Sequence, residues 1–194
     1  MALLKNRKFA FPVCIVLMLA VLLIAVHVSG GRAAKKVETL FYEGTNSAGS
    51  TNTVAIDDQL TVRADAATGL ITVAANYPLL SDDAQALREA KNALLDAKTI
   101  PEKYNANEAL TAAAETLIAH AASAGLSDRD REGFDGYVQR LQGAQGVIDQ
   151  NTYNEKVVEF NNGVLNKFPL SILKGITGVK APAFFGVLRE ELAR

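Results

Sequence analysis

The sequence predicts an all-α protein, with an N-terminal transmembrane helix followed by an antiparallel helical bundle that has one long C-terminal helix. Three observations lead there. Residues 9–28 (FAFPVCIVLMLAVLLIAVHV) contain no Asp, Glu, Lys or Arg. Beyond them, apolar residues recur at three- and four-residue steps in segments separated by short breaks. The composition agrees, with 49% hydrophobic but only 7% aromatic residues, no Trp and five Pro among 194 residues. A core of Ala, Leu, Ile and Val with so few Pro favours helix over sheet.

As a helix, residues 9–28 cover roughly 30 Å at about 1.5 Å per residue, the thickness of a bilayer's hydrocarbon core. Phe9, Val13, Leu17, Val21, Ile24 and Val28 are the expected anchor residues. Pro12 falls in the first turn, where a missing N–H costs least. His27 lies near the far interface. The basic flank 1–8 contributes Lys5, Arg7 and Lys8, and Arg32, Lys35 and Lys36 follow the span. Three cations on each side leave the positive-inside rule tied, so sidedness stays open. A cleaved signal peptide is the rival reading, with Gly31 and Ala33 as a small-residue cleavage site. The apolar run is longer than a usual signal core, which favours an anchor. Cys14 reads as a small apolar residue in lipid. A single Cys excludes a disulfide framework or a cysteine-based zinc site within one chain.

The formal net charge of -1 hides an asymmetry. The first 36 residues hold six of the 20 basic residues and no acid, so the remaining 158 carry 14 bases against 21 acids. A body that acidic repels phosphate backbones, which argues against nucleic acid as a partner and leaves the lipid bilayer.

Residues 29–53 read as a juxtamembrane segment and linker, with a turn or two of helix at 37–42 and a Gly/Ser/Thr/Asn stretch at 43–53. Residues 54–168 form the expected bundle. Its first helix carries Ile56, Leu60, Ala64, Ala67, Leu70 or Ile71, and Ala74 on one stripe and stops before Tyr77-Pro78. Ser81-Asp82-Asp83 is the expected cap of a second helix, with Ala84, Leu87, Lys91, Leu94 and Leu95 on its inner side. Pro101 opens a third, which carries Tyr104, Leu110, Ala113, Ala114, Leu117, Ile118 and Ala121, with Gly125 as the expected C-cap. Ser127 caps a fourth helix, whose rhythm runs from Phe134 to Phe168 with Gly143 and Gly146 as weak points. Residues 169–194 form an apolar tail too rich in Gly and Pro to be one regular helix.

Two regions carry recognisable patterns. Ile56-Asp57-Asp58-Gln59-Leu60 followed by Arg63-Ala64-Asp65 is similar to V-D-x-Q-L-x-x-R-A-D. Tyr153-Asn154-Glu155, Phe160-Asn161 and Phe168-Pro169 follow Y-N-x-x-V-x-x-[YF]-N-x-x-I-x-x-F-P, and GITGVKAPAFF is similar to G-x-x-G-F-K-x-x-x-[YF]-F. Over residues 37–185 the chain thus resembles the LemA family, bacterial proteins with one N-terminal membrane helix and a helical bundle. It departs from the family at Ala67-Thr68-Gly69, which replaces an I-P-N kink, and in the linker at 43–53. The resemblance implies a single-pass protein of the bacterial cell membrane with a role in organising or shaping membranes.

Physically, Tyr153 and Phe160 are seven residues apart, as are Asn154 and Asn161, so each pair lies near one line of a helix. The Asn amides suit locking a neighbouring helix or loop, and a polar layer that fixes register is favoured over a ligand site. His120 has no ligand-type neighbour at helical spacing, and no H-E-x-x-H, Walker A or G-x-S-x-G pattern occurs. No catalytic residue, metal site or cofactor is therefore expected. The tail either folds back to cap the bundle or presents Ile172, Leu173, Ile176, Phe184 and Phe185 to a membrane or a second subunit. The expected function is a non-enzymatic, membrane-anchored scaffold that forms a homo-oligomer and remodels membrane. The alternative is a membrane-tethered adaptor for a protease or an envelope-stress or signalling complex, with a membrane protein as partner.

Overall fold

The structure, a computed structural model, describes residues 7–44 and 54–186, and the side chains of residues 11–44 and 54–186. Among the described residues it is helical with no strand. The helices are α1 (Arg7–Glu43), α2 (Ile56–Ala74), α3 (Ser81–Asp96), α4 (Ile100–Ala121), α5 (Asp128–Asp149), α6 (Tyr153–Phe160) and α7 (Leu170–Thr177). A 3-10 turn at Pro78–Leu80 precedes α3, and a π-helical segment at Asn161–Leu165 follows α6. The chain divides into two compact units. One comprises Met1–Glu38 with Glu155–Pro182, the other Thr39–Asn154 with Ala183–Arg194.

The second unit contains the bundle. α2 packs against α5 and α3, and α3 against α4. α2 is the central element, with ten residues buried from Ile56 to Ala74, many of them Ala or Gly. Those small side chains let neighbouring helices approach closely. At Gly69 the approach is complete, because a Cβ there would lie 2.4 Å from the Tyr137 ring. Leu87, Leu110, Leu117 and Leu141 fill the space between the helices. The periodicity located these faces because one helix stripe must be buried for a bundle to form at all.

Helix ends follow local hydrogen bonding. Thr99 and Glu102 form a reciprocal capping box at the start of α4, with the Thr99 N–H donating to Glu102 Oε2 at 2.9 Å. Ser127 caps α5 by accepting from the Asp130 N–H at 3.2 Å. Ser81, the expected cap of α3, is instead its first helical residue. The 3-10 turn runs directly into α3 and places Leu80 at the cap position. Leu95, expected on the inner side, is exposed, whereas Ala84, Leu87 and Leu94 are buried. α4 ends at Ala121 with Ala122 as C-cap, and Gly125 takes its positive φ of 68° in the turn beyond.

The long fourth helix divides into α5 and α6 at residues 150–152 rather than at Gly143 or Gly146. Asn151 explains the break, because its side chain accepts the Tyr153 N–H at 2.9 Å and donates to the Val54 carbonyl at 2.8 Å. A side-chain amide competing for backbone partners stops a helix where a glycine in a regular ladder does not.

α1 is one unbroken helix of 37 residues, so residues 29–43 continue the helix that carries the apolar stretch. Residues 45–53 of the expected linker lie outside the described residues. Within the tail, α7 is a regular eight-residue helix, closed by Gly178 at φ 68° with its N–H donating to the Lys174 carbonyl at 3.0 Å.

Candidate functional site

Three features of the structure invite a functional reading, one in the first unit and two in the second. The first is the surface of α1. No residue from 11 to 29 is buried. The anchor residues Val13, Leu17, Val21, Ile24 and Val28 are all exposed, Val21 at 67%, while the Phe9 side chain lies outside the described residues. α7 packs on this helix at its C-terminal half. His27 Nδ1 donates to the Thr177 carbonyl at 2.6 Å, supplying a partner to a carbonyl that the end of α7 leaves open. A Cβ at Gly30 would lie 3.2 Å from Leu170 and Val179 side chains, so glycine permits the contact. A groove of about 840 Å³, lined by Leu17, Val21, Ala25, Val164 and Leu170 among others, runs beside it.

The second feature is a polar cluster inside the bundle. Arg63 is fully buried on the inner stripe of α2. Its guanidinium donates to Asn107 Oδ1 and Gln145 Oε1, and to Thr111 Oγ1 at 2.8 Å. Asn107 in turn donates to Gln145 at 3.1 Å, and Gln145 to Asp149 at 2.7 Å. Burial pushes the Arg63 pKa down to about 10, against the opposing fields of Glu108 and Asp149. Arg63 Nε is buried without a hydrogen-bond partner among the described residues. A cavity of about 240 Å³ adjoins the cluster, lined by Arg63, Thr111, Glu115, Gln145 and Asp149 among others.

The third feature is an aromatic cluster that receives the tail. Phe41 and Tyr104 flank Phe185, with their ring centroids each 5.4 Å from it. Tyr153 packs on Phe41 at 5.5 Å and donates from its hydroxyl to the Ala183 carbonyl at 2.6 Å. Asn154 pairs with the Phe185 backbone in both directions.

The first sequence pattern thus lies on α2 of the bundle, and the second runs from α6 into the tail. The LemA family's own model matches residues 52–194. The chain belongs to the LemA family. No curated protein and no solved structure matches it at a significant level.

In this LemA-family chain the motif residues do not converge on one site. Arg63 organises the polar cluster and Leu60 is core. Asp57 forms an ion pair with Lys103, Gln59 is half-buried and Asp65 is exposed. Tyr153 and Asn154 secure the tail, while Phe160 is buried further along α6. Asn161, expected to share a polar layer with Asn154, sits in the π-helical segment with its buried Oδ1 lacking a partner among the described residues. The tail divides as well. Phe185 is buried and Phe184 and Leu173 are half-buried, but Phe168, Ile172 and Ile176 are exposed, with Pro169 half-buried between them.

Asn107, Thr111 and Gln145 escaped the sequence reading, although one signal for them existed. Ile100, Tyr104, Asn107, Leu110, Ala114, Leu117 and Ala121 make a stripe of three- and four-residue steps, and Asn107 is its polar interruption. Its counterpart on α2 is Arg63. His120, isolated in sequence, meets Asp83 of α3 at 2.6 Å on an exposed surface.

Proposed function

We propose that this LemA-family chain is a non-enzymatic, membrane-anchored structural protein of the bacterial cell membrane that self-assembles and organises the bilayer around it. One observation carries the reading: α1 exposes a continuous apolar surface through residues 11–29 with none of it buried. Such a surface is stable in lipid and costly in water. Confinement to a membrane raises the effective concentration of neighbouring copies, which favours assembly through the sides of the bundle. The buried polar groups support a structural role. Arg63 spends its terminal N–H groups on neutral partners from α4 and α5, and Asn154 spends its amide on the tail.

Light scattering on the full-length chain in mild detergent, beside a chain of residues 37–194, tests this. A defined oligomer that requires residues 1–36 is expected. The cavity beside Arg63 favours a second reading, a tethered adaptor that docks a partner on the α2, α4 and α5 side of the bundle. A monomer in both preparations would overturn the scaffold and leave the adaptor.

A further inference from the structure

α7 and the turn before it carry a second apolar surface that an anchor in α1 leaves unexplained. Ile172 and Ile176 lie one turn apart on a single face of α7, and Phe168 precedes them. They are 70%, 73% and 81% exposed, respectively. This face belongs to the same compact unit as the α1 apolar stretch. The two are joined by the His27 bond to Thr177 and by the contact of Leu170 and Val179 at Gly30. The groove beside them is lined almost wholly by apolar side chains of α1 with Val164, Pro169 and Leu170.

On α7 and the segments flanking it the charges have one sign. Residues 160–186 contain no Asp or Glu, and Lys167, Lys174 and Lys180 among them are exposed. On α1, exposed Arg32 and Lys36 follow directly after the apolar stretch. An apolar helix face bordered by cations without acids matches a lipid interface carrying negative headgroups. A soluble protein partner would account for the isoleucines but not for the missing acids.

The geometry points to α7 as a lipid-binding interfacial helix: Phe168, Ile172 and Ile176 enter the leaflet at the C-terminal end of the α1 span, and the surrounding cations hold anionic phospholipid headgroups. The groove between α1 and α7 is then filled by acyl chains. His27 serves this arrangement by satisfying the Thr177 carbonyl, since an unpaired carbonyl is costly at membrane depth. The inference rests on α1 spanning the bilayer.

The chain contains no Trp, so single tryptophans report without background. The full-length variants I172W and I176W replace exposed side chains. They are reconstituted in vesicles of phosphatidylcholine with brominated acyl chains, with and without phosphatidylglycerol. V21W on α1 and L95W on the bundle serve as controls, both at exposed positions. The expected result is quenching of I172W and I176W to within about a factor of two of V21W, with L95W unaffected. Quenching should increase with phosphatidylglycerol, and K174E with K180E should abolish that increase. If V21W is quenched but I172W and I176W are not, the span stands and the interfacial helix is overturned. Protection of both from a soluble quencher without quenching by bromine would place a second copy on the face and also overturn it. Equal quenching with and without phosphatidylglycerol overturns the headgroup assignment. An unquenched V21W overturns the anchor, and the inference with it.

Discussion

Asn154 and Phe185 hold each other by two hydrogen bonds: Asn154 Nδ2 donates to the Phe185 carbonyl at 2.8 Å, and the Phe185 N–H donates to Asn154 Oδ1 at 3.0 Å. One side-chain amide thereby supplies both the donor and the acceptor that a strand partner would give to a stretch of chain outside any helix. The Phe185 ring is fixed between Phe41 and Tyr104 as a result, with Tyr153 packed on Phe41.

N154A should therefore destabilise the protein by about 2 kcal/mol, since each lost bond is worth about 1 and the Phe185 backbone groups are left unpaired. N154D keeps the acceptor but loses the donor and should retain only part of that stability. Urea denaturation of both variants checks the order, wild type above N154D above N154A. Equal stability of N154A and wild type would mean the tail is held by the Phe185 ring alone.

Arg63 makes a prediction in which size and charge separate. R63A should cost about 3 kcal/mol, because it opens a cavity and removes a shared donor from Asn107, Thr111 and Gln145. R63M keeps most of the volume and leaves the Asn107–Gln145 bond intact, so it should cost clearly less. The pH dependence has a definite sign. Burial lowers the Arg63 pKa from the ordinary guanidinium value to about 10, so the unfolded chain holds more protons above pH 10. Wild-type stability should rise relative to R63M as pH increases through that value, by about 1 kcal/mol at pH 11. A difference between the two that is flat from pH 8 to pH 11 would show that the buried guanidinium keeps its proton throughout that range.

At Gly69 two effects of one methyl group oppose each other. Alanine improves helix propensity by about 1 kcal/mol, but its Cβ would lie 2.4 Å from the Tyr137 ring. G69A should destabilise the wild type, because the ring must leave its contact with α2. In a Y137A background the same change should stabilise by up to about 1 kcal/mol. A double-mutant cycle by thermal denaturation measures the coupling, and additivity would remove the clash as its cause.

The helix starts set the acid limb of stability. Hydrogen bonds from Tyr77 and then Ser127 hold the Asp130 carboxyl below its ordinary pKa, and the backbone at Thr99 and then Lys98 does the same for Glu102. Both groups contribute stability above the unfolded carboxylate range and lose it as pH falls through their lowered folded values. Y77F should weaken the acid dependence, and T99A should cost about 1 kcal/mol at neutral pH through loss of the cap. Melting temperatures from pH 2 to pH 7 report both. An unchanged acid limb in Y77F would sink the assignment of Asp130.

The apolar run at residues 9–28 and the stripes of α2, α4 and α5 were legible because each is a local pattern with a local cause. A bilayer selects for length without charge, and a bundle selects for one apolar helix face, so hydrophobic spacing alone determined the all-α class, the candidate span and most of the core. The LemA motif residues were equally visible as a pattern, but not their separate employment. Only the tertiary structure decided that Arg63 draws on Asn107, Thr111 and Gln145 from two other helices, since hydrogen-bond partners are chosen in space and not by spacing. It also decided where the fourth helix breaks, because Asn151 acts through the carbonyl of Val54, 97 residues away. The tail shows the division most clearly. Its apolar residues read alike in one dimension, yet Phe185 is buried and Ile172 and Ile176 are exposed, because burial depends on which surfaces the folded chain presents to each side chain.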